Sequence, residues 1–248
     1  MIEIKGLSKS FNSKKVLDDV NLSIEQGKIT VIIGRSGEGK SVLIKHIIGL
    51  LKPSSGKILI DGKDITKING KDLNRMRKRF GMLFQGGALF DSMTVGENVA
   101  FPLKEQTDLP RGKIKQIVRT KLERVGLKGI EDMMPSELSG GMKKRVGLAR
   151  AIVMDPEIVI FDEPTTGLDP IMSDSIGELM LETQHALDTT YVAITHDISL
   201  TYKIADHVAM LHEGRVIAEG TVEEIKANPN PILRQFLEGR AEGPIKVY

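Results

Sequence analysis

The chain has 248 residues, enough for one large or two small domains and for a substantial buried core. Lys plus Arg number 35 against 33 for Asp plus Glu, a formal charge of +2, which argues against a dedicated nucleic-acid binder. There is no Cys, so disulfides and thiolate metal sites are excluded, and the composition fits a reducing compartment. No apolar run approaches the roughly 20 residues that span a bilayer, and the start Met1-Ile2-Glu3-Ile4-Lys5 lacks the apolar stretch of a signal peptide. The protein is therefore expected to be cytosolic, with any membrane role supplied by a partner.

The first third reads as strands and turns. Residues 2–7, 16–25 and 57–61 are short and β-rich, separated by Gly, Asn, Ser or Lys. Gln26-Gly27-Lys28 is a turn into the apolar β-branched run Ile29-Thr30-Val31-Ile32-Ile33, and residues 42–51 read as a helix stopped before Pro53. The middle, about 70–154, is expected to be mostly helical and polar. Ile114, Ile117, Val118, Leu122 and Val125 recur at helical spacing, and residues 142–153 form a second helix preceded by Ser139-Gly140-Gly141. In the last third, residues 158–161, 191–195 and 208–212 are apolar runs with helical segments between them, the alternation of a parallel sheet with crossover helices. Beyond Asn228 come Pro229, Pro231 and Pro244 and little periodicity outside 232–237, so this tail is expected to dock on a partner rather than on its own core.

The most informative segment follows the run at 29–33. Gly34, Arg35, Ser36, Gly37, Glu38, Gly39, Lys40 and Ser41 spell GxxxxGK(S/T) between a strand and a helix, the pattern of a phosphate-binding loop. Glycines let the backbone turn sharply and aim several N–H groups at one concavity. The helix that follows, running on through Val42, points its positive end at the same spot. Lys40 adds a point charge for the outer phosphates, and the Ser41 hydroxyl is a candidate Mg²⁺ ligand. Glu38 puts a negative charge into an anion site, so its side chain is expected to point outward.

Two further features bear on the same chemistry. Ile158-Val159-Ile160-Phe161-Asp162-Glu163 is an apolar strand ending in two acids, and ligands of open α/β sheets bind at the carboxyl ends of strands. Asp162 is then expected to face a nucleotide's Mg²⁺, and Glu163 to polarise an attacking water. Leu138-Ser139-Gly140-Gly141-Met142 opens a helix and offers a second anion-binding terminus.

The ordered set of phosphate loop, LSGG segment, strand-Asp-Glu and later His196 resembles the ATP-binding cassette (ABC) ATPases over residues 2–225. The resemblance implies an α/β P-loop NTPase fold: a mostly parallel sheet core, an N-terminal antiparallel β subdomain and a helical subdomain at about 86–156. The ATPase domain would span 1–238, with a C-terminal extension at 228–248. It also implies roles. Phe11 matches the aromatic that stacks on adenine, and Gln85 the glutamine that reaches metal and water and senses the transporter partner. Gly167-Leu168-Asp169 matches the loop along the dimer seam, and His196 the switch histidine on the γ-phosphate. Lys40, Glu163 and His196 would be the catalytic residues, and Ser41, Gln85 and Asp162 the metal set. Ser139, Gly140 and Gly141 would close over the ATP of a second copy, giving a homodimer with two ATPs at its seam. Met142 stands where the family usually has Gln.

A finer resemblance lies in FQGGALFDSMTVGENVAFPL and MPSELSGGMKKRVGLARAI, which are similar to the ATPases of Mla-type lipid transporters that work with MCE-domain proteins. The tail, with Asn228-Pro229-Asn230-Pro231 and Glu242-Gly243-Pro244, resembles that group's C-terminal extension, which helps join two ATPase copies. This implies phospholipid or a related hydrophobic substrate, a membrane permease, an MCE-domain protein and an accessory subunit. It also implies a peripheral place on the cytoplasmic face of the inner membrane, and no nucleic-acid partner. Leu89 and Phe90 either meet a membrane partner or pack into the helical subdomain. The clusters Arg75-Met76-Arg77-Lys78-Arg79 and Lys143-Lys144-Arg145 read as solvated helix faces, the first with anionic headgroups as its alternative. An ABC ATPase serving another substrate, such as an amino acid or an organic solvent, stays open, as does a non-transport ABC ATPase.

Overall fold

The computed structural model describes residues 1–246; the last two residues of the expected C-terminal extension, 247 and 248, lie outside them. The chain divides into two compact units, one of Met1–Arg77 with the segment from Val192 onward, the other Lys78–Tyr191.

In the first unit, β1 (Ile2–Phe11), β2 (Lys14–Ile24), β4 (Ser55–Ile60) and the short β5 (Lys63–Asp64) form an antiparallel sheet in the order β2-β1-β4-β5. Alternation places Ile2, Ile4, Leu7, Leu17, Val20, Leu22 and Ile24 on its buried face. Its second layer is built on β3 (Ile29–Ile33), which pairs in parallel with β9 (His207–His212), while β10 (Arg215–Gly220) closes the edge antiparallel to β9. Residues 192–195 of β8 (Thr190–Thr195) lie on the other side of β3. Every residue of β3 and of β8 is buried, which is why β3 is an unbroken β-branched run and β8 a near-continuous apolar one rather than an alternation. Helices α1 (Lys40–Ile47), α2 (Gly70–Arg77), α7 (Ile198–Ile204), α8 (Val222–Ala227) and α9 (Pro231–Glu238) complete this unit.

The second unit pairs β6 (Phe80–Leu83) in parallel with β7 (Ile158–Asp162) and carries α3 (Val95–Gln106), α4 (Arg111–Arg124), α5 (Gly140–Ala151) and α6 (Pro170–Leu187). Helices α3, α4 and α5 pack on one another through Val95, Val99, Leu103, Val118, Leu122, Val146 and Ala149.

The α/β expectation holds, with an antiparallel N-terminal sheet and mainly parallel core pairing. Differences of detail have local causes. β6 lies in the stretch expected to be helical; at four residues it is too short to show a period. β10 is missed because polar Arg215 and Glu219 interrupt an edge strand. α1 ends at Ile47 rather than 51, because Gly49, at φ 70, turns the chain out of the helix. In the tail, α9 buries Leu233, and Gln235 holds the following segment by donating to the Ile245 carbonyl (3.1 Å) and accepting from the Ile245 N–H (2.7 Å). Among the described residues no helix is long and apolar enough to cross a membrane.

Candidate functional site

The phosphate loop is a backbone construction. Gly34, Gly37 and Gly39 have φ of 152°, 86° and 100°, a region L side chains rarely adopt. A Cβ at Gly34 would collide with the Leu211 carbonyl, and one at Gly39 would stand 2.9 Å from the Val16 carbonyl oxygen, so close approach as well as dihedral demands glycine. Gly39 is the left-handed N-cap of α1 and supplies no side-chain cap hydrogen bond. Lys40 is 6% exposed, and its ammonium donates to the carbonyls of Gly34 (2.6 Å) and Arg35 (3.0 Å). The cation is thus held against the backbone of its own loop. Arg35 donates to the Lys246 carbonyl at 3.1 Å, and Ser36, Gly37 and Ser41 are exposed.

Glu38 turns out of the loop, as expected, but not into solvent. It turns onto the β9–β10 turn, where its carboxylate accepts from the Glu213 N–H and lies 3.3 Å from Nδ1 of His212. The loop's one acid is therefore engaged by the β9–β10 turn. Phe11 ends β1, and its ring is 43% exposed rather than part of the core, with the Lys9 ammonium 5.2 Å from its centroid. His196 follows β8 directly and is exposed; the next residue, Asp197, caps α7 by accepting from the Leu200 N–H at 3.0 Å.

In the second unit, β7 delivers Asp162 at its carboxyl end, and Glu163 follows in the left-handed region at φ 50°. The Thr166 hydroxyl donates to the Glu163 carboxylate at 3.2 Å. The buried Lys144, from α5, donates to the Glu163 carbonyl at 3.1 Å. Burial lowers the Lys144 pKa, opposed by the charges of Asp162 and Glu163. Ser139 caps α5 by accepting from the Met142 N–H at 3.3 Å, and Ser139 and Gly140 are exposed. Asp169 caps α6, accepting from the N–H groups of Ile171 and Met172, each at 3.0 Å.

Gln85 is exposed in the loop after β6, and that loop is fixed from a distance. Fully buried Asn98 accepts from the Phe90 N–H (2.8 Å) and donates to the carbonyls of Phe90 (3.1 Å), Met93 (3.0 Å) and Thr94 (3.0 Å). Arg150 of α5 donates to the Gly87 carbonyl at 2.7 Å and covers the Phe90 ring. Phe90 also packs on Phe101, with centroids 4.9 Å apart, yet stays 42% exposed, as does Phe84. Packing into the helical subdomain accounts for part of the Phe90 ring, and the rest is exposed.

The basic clusters are also corrected. Arg77 donates to the Gly49 carbonyl (2.7 Å), Arg79 to Glu157 (2.6 Å), and Arg145 to the Val125 carbonyl (2.7 Å) and the Ser175 hydroxyl (2.8 Å). With Lys144 buried, only part of each cluster is a solvated face. The first unit thus carries Phe11, residues 34–42 and His196, and the second carries Gln85, residues 139–141, Asp162 and Glu163.

Compared with known families, residues 17–166 match the family described as ABC transporter. The chain belongs to that family. It is an ATP-binding, ATP-hydrolysing cassette. It is 46% identical to the intermembrane phospholipid transport system ATP-binding protein MlaF of Haemophilus influenzae, over 99% of this chain and 93% of that protein. It is also 46% identical to the probable ribonucleotide transport ATP-binding protein mkl of Mycobacterium leprae, over 98% of this chain but 70% of that protein. Among solved structures, it resembles a bacterial ABC transporter cassette determined as a dimer, with a TM-score of 0.82 and 29% identity over 90% of this chain and 99% of that one. The same cassette has been determined as a dimer in a post-hydrolysis state bound to ADP and Pi.

Proposed function

We propose that this cassette powers the movement of phospholipid between membranes through a permease. The observation that carries the reading is the near end-to-end match to MlaF, 99% of this chain against 93% of that protein. The half-open Phe84 and Phe90, beside Gln85, support a membrane partner at the loop after β6. In the same reading an MCE-domain lipid-binding protein and an accessory subunit complete the assembly. The cassette sits on the cytoplasmic face of the inner membrane, and its C-terminal extension helps join two copies.

The chemistry divides between the units. The loop N–H groups and the α1 terminus receive the phosphates, and Lys40 exchanges its hold on the Gly34 and Arg35 carbonyls for the outer phosphates. Phe11 stacks on adenine, and His196 reads the γ-phosphate. Glu163 orients the attacking water. Ser139, Gly140 and Gly141 close over the ATP of a second copy, as the dimeric form of the related cassette supports. Mg²⁺ would neutralise developing phosphate charge, with Ser41, Gln85 and Asp162 supplying hard oxygen donors.

The test is affinity purification of the chain from detergent-solubilised native membranes, with mass spectrometry of the proteins and lipids that co-elute. An MCE-domain protein, a multi-span permease and enriched phospholipid are expected. A different permease with a soluble binding protein and no lipid would discard the substrate. Ribonucleotide-stimulated turnover would favour the reading suggested by the mycobacterial relative's name.

A further inference from the structure

Lys144 stands one residue from the half-buried Lys143, yet it is buried to 3% exposure and spends its ammonium on a single described carbonyl, that of Glu163. Burying a cation is costly unless something repays it. Here the compensation comes from the carbonyl and from the charges of Asp162 and Glu163. The carbonyl it holds belongs to an unusual residue. Glu163 has φ 50°, a left-handed conformation that costs a non-glycine residue on the order of 1 kcal/mol or more. It also precedes Pro164, whose ring pushes the residue before it toward extended backbone. Local sequence therefore pulls Glu163 away from the conformation observed. Among the described residues, its carbonyl accepts from the Lys144 ammonium at 3.1 Å and from the Thr166 N–H at 3.4 Å.

We propose that Lys144 is a positioning residue for ATP hydrolysis: by gripping the Glu163 carbonyl it keeps the left-handed backbone that aims the Glu163 carboxylate. Without the grip the peptide relaxes toward extended geometry and the carboxylate swings off its line. Lys144 lies five residues beyond Ser139 on α5, about 7.5 Å along one rigid helix. The same rod that presents its N-terminus to the second copy's nucleotide therefore carries the grip on this chain's own Glu163. The inference rests on the reading of Glu163 as the water-orienting carboxylate.

The experiment compares full-length wild type, Lys144→Met, Lys144→Arg and Glu163→Gln, each purified with the membrane proteins it retains. Steady-state kcat, KM for ATP and thermal midpoint are read for each. Lys144→Met keeps the length and loses the charge; its kcat should fall at least 20-fold with KM within threefold of wild type. Lys144→Arg, which keeps a charged donor, should recover at least a third of the rate. Should Lys144→Met not fold, Lys144→Gln takes its place, with kcat expected to fall at least fivefold at unchanged KM. An inactive Glu163→Gln variant beside a Lys144→Met variant of wild-type kcat would overturn the inference alone. So would a fall in kcat matched by an equal rise in KM, or an Arg variant no better than Met. A Glu163→Gln variant as fast as wild type would overturn the reading of Glu163 and the inference with it.

Discussion

The phosphate loop and the end of β7 do neighbouring jobs by opposite means. The loop is built from its own residues: three glycines in positive φ, a helix terminus directly behind them, and a lysine that reaches back to carbonyls five and six residues earlier. Glu163 is placed by other elements: its conformation runs against Pro164, its carbonyl is held by Lys144 from 19 positions away, and Phe161 before it packs on Tyr191 with centroids 4.8 Å apart. A site whose shape comes mainly from contiguous residues has its donors set by the local chain, although the Leu211 and Val16 carbonyls and the Glu213 N–H still pack against this one. A site made of tertiary contacts works only when the surrounding unit is packed, and it can be adjusted without touching the ligand-binding loop.

The largest expected effect separates the two directly. Glu163→Gln should lower ATP turnover about 10³-fold, roughly 4 kcal/mol of transition-state stabilisation, while a fluorescent ATP analogue binds with affinity within threefold of wild type. Gly34→Ala should do the reverse in kind: it places a Cβ against the Leu211 carbonyl at an unfavourable φ, so nucleotide binding is lost and folding weakens by about 3 kcal/mol in urea titration. If Gly34→Ala bound nucleotide normally, the loop would not be the rigid backbone construction described.

Smaller effects sharpen the tertiary side. Asn98→Ala removes four hydrogen bonds that fix the loop after β6 and should cost about 2 kcal/mol in urea, with amide exchange quickening at Phe90 while the phosphate loop is unchanged. Tyr191 supports the β7 end from behind. Burial pushes its pKa up to about 12, while its hydroxyl donates to Thr183 at 3.0 Å. The folded pKa lies above the unfolded value, so the protein favours the protonated phenol, and stability should decline as pH rises from 10 toward 12. The loss should reach about 2 kcal/mol in urea titrations. Tyr191→Phe should cost about 1 kcal/mol at pH 8 and flatten that alkaline decline.

The same contrast explains what could be read in advance. Strand 29–33, the glycine loop and the helix behind it are contiguous, and each residue's local preference agrees with the others, so the loop is visible as a string. Asp162 and Glu163 are visible as the end of an apolar run, and Ser139 as a helix cap. The partner of Glu38 is not visible, because Glu213 lies 175 positions away and only the folding of β9 beside β3 brings it there. Lys144 hides inside a run of basic residues whose ordinary fate is solvent, and nothing in Lys143-Lys144-Arg145 marks the middle one as buried. Asn98 and Arg150 reach a loop rich in apolar residues, and their hydrogen bonds there end on backbone N–H and C=O groups that carry no sequence signature.

The central claim is an ATP engine coupled to phospholipid. Its most direct test is transfer of labelled phospholipid between vesicle populations by the complex purified with this chain and reconstituted into one of them, with ATP added. The account predicts ATP-dependent transfer that disappears with Glu163→Gln, although that variant still binds ATP. Hydrolysis by the wild-type complex with no ATP-dependent change in lipid distribution would contradict it.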